Sequence, residues 1–68
     1  MNEELIEKVN NILRTDPHKL DTEIETFACG YPFGCQEIYD MVTYGETMKL
    51  AKWLVEDEII TEEYFKFN

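Results

Sequence analysis

Apolar residues in this chain return at helical intervals, and no run alternates at the two-residue interval for long enough to argue a strand. Leu5, Ile6, Val9, Ile12 and Leu13 fall at i, i+1, i+4, i+7 and i+8. That is one stripe of an α-helix, with Glu3, Glu4, Glu7, Asn10 and Asn11 largely on its other side. The early acids also suit the positive end of the helix dipole, and a first helix is predicted over residues 3–14. Leu20, Ile24, Phe27 and Ala28 make a second apolar face, and Met48, Leu50, Ala51, Leu54 and Val55 another, with Lys49 and Lys52 outward. The expected fold is all-α. A single acidic domain over residues 1–68 would hold four short helices plus a C-terminal helical turn.

Between these faces the chain carries its own punctuation. Pro17 disfavours helical geometry at Asp16 but fits the first turn of a new helix, with Thr15 or Asp16 as cap. Thr22 and Glu25 have capping-box spacing, which would move that start later. Gly30 is the natural end of the second helix, and Gly30-Tyr31-Pro32-Phe33-Gly34 is the clearest loop signature. A third helix should begin near Cys35 and run through Ile38, Tyr39, Met41 and Val42. Gly45 either caps it or sits inside a longer helix at a cost of about 1 kcal/mol. Thr61 is a good N-cap for the last turn, with Ile60 and Phe65 at hydrophobic-staple spacing. The stretch Leu54 to Phe65 (LVEDEIITEEYF) loosely resembles the helix–turn–helix end of many small bacterial and phage domains.

A chain of 68 residues buries only about 60% of its unfolded surface, so its core must be rich. With 44% hydrophobic and 13% aromatic residues it is too apolar for a disordered polyanion. Phe27, Trp53, Phe65 and Phe67 are assigned to the core, where large rings compensate for small size. Tyr31 and Phe33 project from the Gly/Pro loop. They either fold back as a lid on the core or stand out as anchors for a partner.

Fifteen Asp/Glu against six Lys/Arg give a net charge of −9. The excess is spread: residues 1–34 hold seven acids and three bases, residues 35–68 eight and three. Such a field repels nucleic acid and membranes and attracts basic surfaces. Direct nucleic-acid binding is disfavoured further because the bases are scattered singly. Glu56, Asp57, Glu58, Glu62 and Glu63 place five carboxylates in eight residues, as a solvent-facing corner or as an anionic ridge. The D-x-D-x-D-G spacing of a calcium loop is absent.

Other chemistries are weakly signalled. Cys29 and Cys35 flank the loop with five residues between them and read first as small buried or half-buried hydrophobes. A disulfide or a zinc site is the lesser alternative, since His18 is the only further ligand near them. His18, the single histidine, reads as a surface residue. No nucleophile elbow, H-E-x-x-H, P-loop or Gly-rich nucleotide motif occurs. No stretch reaches the roughly 18 apolar residues of a membrane span. The acidic start Met1-Asn2-Glu3-Glu4 is unlike a secretion signal, so a cytoplasmic location is expected.

These features point to a small non-enzymatic binding protein with no catalytic residue, cofactor or metal. In size and charge it is similar to small acidic phage proteins that inhibit host nucleases, polymerases or CRISPR complexes (anti-CRISPR and host-takeover factors). The expected partner is a protein with a basic surface, such as a component of a nucleic-acid-binding complex. Contact would run through Tyr31, Phe33, Glu56, Asp57, Glu58, Glu62 and Glu63, on a monomer or weak homodimer. The alternative is an assembly module that binds protein through an exposed apolar face on the Met48–Val55 helix, with Trp53 at its edge.

Overall fold

The stripe of the first stretch winds into α1 (Glu3–Thr15), with Leu5, Val9 and Leu13 buried and Ile6 and Ile12 packed at their sides. The computed structural model describes residues 3–30 and 34–65, with the backbone alone at Cys35. Beyond α1 come a 3-10 turn (Pro17–Leu20), α2 (Asp21–Cys29), α3 (Cys35–Thr43), α4 (Thr47–Glu56) and a last 3-10 turn (Glu62–Phe65). The described residues contain no strand, and the all-α expectation holds.

The restart at Pro17 is more broken than the sequence suggested. Asp16, before the proline, is kept out of helical geometry (φ −150°, ψ 74°), and its side chain makes no capping hydrogen bond. Instead of opening one long helix, Pro17 opens a single 3-10 turn that delivers Leu20, 1% exposed, into the core. Leu20 then leaves helical geometry at φ −110° and ψ 21°, and α2 starts afresh at Asp21. Thr22 therefore lies inside α2 and does not cap it. Burial of Leu20 outweighs the local capping signal.

Helix ends are closed by backbone and hydroxyl groups. Thr15, Thr26 and Thr43 each donate to the carbonyl four residues earlier, on Asn11, Thr22 and Tyr39, at 2.8, 2.8 and 3.0 Å. After α3 the Gly45 N–H donates to Val42 O (3.2 Å) and the Glu46 N–H to Met41 O (2.7 Å). Gly45 is left-handed at φ 83°, so it caps α3 in a Schellman motif and does not continue into α4. The end of α4 repeats the motif. The Glu58 N–H donates to Val55 O and the Ile59 N–H to Leu54 O, both at 3.0 Å, with Glu58 at φ 60°.

The core joins all four helices. Val9, Leu13, Ile24, Ile38, Leu50, Leu54 and Ile60 are fully buried, each contributing about 1.5–3 kcal/mol by transfer from water. The most extensive helix pairing is α1 with α4. Its register is marked by the buried Thr47 hydroxyl, which donates to Asn10 Oδ1 at 2.6 Å. Phe27 stacks on Trp53 at a centroid distance of 5.6 Å, a geometry worth about 0.5–1.5 kcal/mol beyond area. Phe27 is buried as expected, whereas Trp53 and Phe65 are only partly covered. Phe67 lies outside the described residues. Cys29 is corrected: it is an exposed free thiol at the end of α2, because the core-facing positions there belong to Phe27 and Ala28.

Candidate functional site

The acids singled out in the sequence gather where α4 ends. Glu56 closes α4, Asp57 and Glu58 form the turn after it, and Glu62 and Glu63 open the last 3-10 turn. All five are exposed. Local rules explain most of this placement. The chain must reverse after Val55 to bury Ile60, so the intervening polar residues face water. Thr61 supplies its carbonyl to the Tyr64 N–H at 3.0 Å and starts the last turn.

The turn is held down by aromatics. Tyr64 and Phe65 pack edge to face at a centroid distance of 5.1 Å, and both lie against the core. The Tyr64 hydroxyl donates to the Glu23 carboxylate on α2. Burial first, and then the Glu23 charge and this hydrogen bond, push the Tyr64 phenol above its ordinary value of 10.0. Lys8 on α1 places Nζ 5.7 Å from the Phe65 ring centroid. Lys49 does the same over Trp53 at 5.2 Å.

Packing creates a cleft beside these acids that spacing did not foretell. It is an open hollow of about 490 Å3 lined by Glu58, Thr61, Glu62 and Glu63 and backed by the buried Leu5, Val55 and Ile60. An adjoining hollow of about 300 Å3 is lined by Glu4, Leu5, Lys8, Glu62 and Phe65. Leu5 and Glu62 belong to both. Glu4 and Leu5 thus join the region from the far end of the sequence. The one local hint was their place on the first turn of a helix needing a partner face.

Glu56, Glu58, Glu62 and Glu63 have no Lys or Arg within ion-pair distance among the described residues. Two bases able to neutralise acids, Lys8 and Lys49, rest over aromatic rings instead. Tyr31 and Phe33, the proposed aromatic anchors, lie outside the described residues. Among the described residues the most exposed large hydrophobic is one that spacing and composition do not single out: Tyr44, 81% exposed at the end of α3, directly before the Gly45 cap.

Elsewhere, His18 lies at the surface, as expected, with Nδ1 3.4 Å from Asp21 Oδ1. The Tyr39 hydroxyl donates to the same carboxylate oxygen, which ties α3 to the start of α2. No group of three or more His, Cys, Asp or Glu side chains among the described residues is arranged to hold a metal ion. No described helix is long and apolar enough to cross a membrane. No protein family, curated protein or solved structure matches this chain.

Proposed function

We propose that this chain is a small acidic, non-enzymatic binding domain. It docks on a basic surface of a protein partner and thereby blocks a complex that handles nucleic acid. One observation carries the reading: Glu56, Glu58, Glu62 and Glu63 are exposed together, unneutralised by any Lys or Arg among the described residues. Those four carboxylates, without an ion pair at one corner, focus the field of a −9 chain. A basic groove built for phosphates meets the same sign of charge here, on a body that offers no strand to be read or cut. Long-range attraction speeds encounter, and the corner then fixes the docked pose.

The assembly reading has less to rest on. Leu50, Ala51, Leu54 and Val55 of α4 are consumed in the core, and Trp53 is stacked on Phe27. That leaves Met48, 40% exposed, as the main apolar residue that α4 offers outward.

The test is capture of partners from a bacterial lysate on the immobilised chain at low salt, with elution by rising salt or by duplex DNA. A nucleic-acid-binding protein that both salt and DNA displace is the expected result. With that partner in hand, neutralising Glu56, Asp57, Glu62 and Glu63 should slow association more than it speeds dissociation. Recovery of the chain alone, or of a partner indifferent to salt and DNA, overturns the proposal.

A further inference from the structure

The acidic corner is carried by two pieces of chain. Glu56, Asp57 and Glu58 close α4, where the Glu58, Ile59 and Ile60 N–H groups all donate to Val55 or Leu54 carbonyls and Ile60 is fully buried. Glu62 and Glu63 belong to the 3-10 turn beyond, none of whose four residues is buried. A single 3-10 turn has poor hydrogen-bond geometry, and segments with few buried apolar contacts open at little cost. Side chains must therefore hold it.

They do so at two points. The Tyr64 hydroxyl donates to the Glu23 carboxylate of α2, a charge-assisted hydrogen bond. Phe65 shares one hollow with Glu4, Leu5 and Lys8 and another with Ile12 and Leu20. Positions 4, 8 and 12 make one edge of α1, so the turn lies across that edge while its tyrosine reaches α2. The charges pull the other way. Glu56, Glu58, Glu62 and Glu63 form no ion pair with Lys or Arg among the described residues, and like charges on both sides of Thr61 favour separation.

We propose that the last turn is a hinged strap, latched by Tyr64 to Glu23 and pivoting at Thr61 beside the anchored Ile60. Its closure sets Glu62 and Glu63 beside Glu56, Asp57 and Glu58, and so regulates the acidic corner. The latch is independent of function; its regulatory role rests on the acidic-docking reading above. A basic surface that neutralises both halves favours the closed strap, and a closed strap favours that surface by the same factor.

Amide hydrogen exchange of the full chain, followed by NMR at low denaturant, tests both parts. The Tyr64 N–H, which donates to Thr61 O, reports the strap. It should exchange through an opening insensitive to denaturant, whereas the Leu50 and Leu54 amides should require global unfolding. Tyr64→Phe keeps the ring and removes the latch, and should lower protection at position 64 about fivefold, the equivalent of one hydrogen bond. Capped tetralysine at low salt should shift residues 56–58 and 62–63 and raise protection at position 64 about twofold. Exchange at position 64 in step with Leu54 would overturn the hinge, and unchanged protection in the variant would overturn the latch. Tetralysine without that gain, with or without corner shifts, overturns the regulation, while docking itself is decided separately by capture and salt elution.

Discussion

Helices α3 and α4 end in the same hydrogen-bonded cap, built on a glycine in one case and a glutamate in the other. Gly45 adopts φ 83° and Glu58 φ 60°. The left-handed region is open to glycine, whereas it costs a residue with a side chain about 1–2 kcal/mol. The segment after each cap accounts for the difference. Gly45 leads within two residues into α4, and its own conformational freedom makes the corner. Glu58 is succeeded by Ile59, packed against the core, and Ile60, which is fully buried and donates its N–H to Leu54 O at 3.1 Å. Burial after the turn imposes a backbone that the turn residue itself disfavours. The acidic corner is thus held in shape by the core beneath it, with Glu58 exposed.

Removing the anchor should break this comparison most severely. Ile60→Ala is expected to cost about 2–5 kcal/mol, as for a buried aliphatic residue cut to a methyl group, seen as a lower denaturant midpoint. A loss below about 1 kcal/mol would mean that Ile60 does not hold the Glu58 turn.

The glycine cap comes next. No atom stands within 4 Å of a Cβ added at Gly45, so Gly45→Ala tests backbone conformation without a clash. It should lose about 1–2 kcal/mol. A neutral result would show that the left-handed geometry is not required there.

The reverse exchange should be smaller and of opposite sign. Glu58→Gly is expected to raise stability by about 0.5–1 kcal/mol, since relief of strain is partly offset by the greater freedom of glycine when unfolded. A thermal melt that falls instead would show the Glu58 side chain to be stabilising. Glu58→Gln, which alters charge but not backbone, should stay within about 0.5 kcal/mol. Together the two variants separate strain from charge at the acidic corner.

The least effect concerns the clasp just beyond the Glu58 turn. The fold holds the Tyr64 phenol above 10.0 and so favours its neutral form. Its contribution is complete below pH 10 and is lost as pH rises through the folded value. Stability measured across that window should decline, and Tyr64→Phe should flatten the decline. An unchanged slope would deny that Tyr64 is linked to folding.

Much of this architecture was legible because helical periodicity is local. The stripe of α1, the apolar face of α4 and the stop at Pro17 depend on neighbours within a few positions, and each appears where those rules place it. The misreadings occurred where a distant contact overruled a nearby one. Pro17 read as the first turn of the second helix, but Leu20 is buried at the end of a separate 3-10 turn and the helix starts later, at Asp21, with Thr22 inside it. Cys29 had the character of a core residue, but Phe27 and Ala28 took the inward positions of its helix. At the candidate site, spacing identified the five carboxylates and their exposure, but not the cleft they border.

Residue type and local spacing were enough to establish an all-helical chain, the approximate limits of its helices and a dominant negative charge. Those properties depend on composition and on intervals of three and four along one chain. Three others emerged from the packed fold: Leu5 lines the same hollow as Glu58, Glu62 and Glu63, Lys8 and Lys49 turn to aromatic rings, and Glu58 is left-handed. Each depends on how α1 and the last turn dock against α4. That docking is set by side-chain packing between segments far apart in sequence, which no local interval encodes.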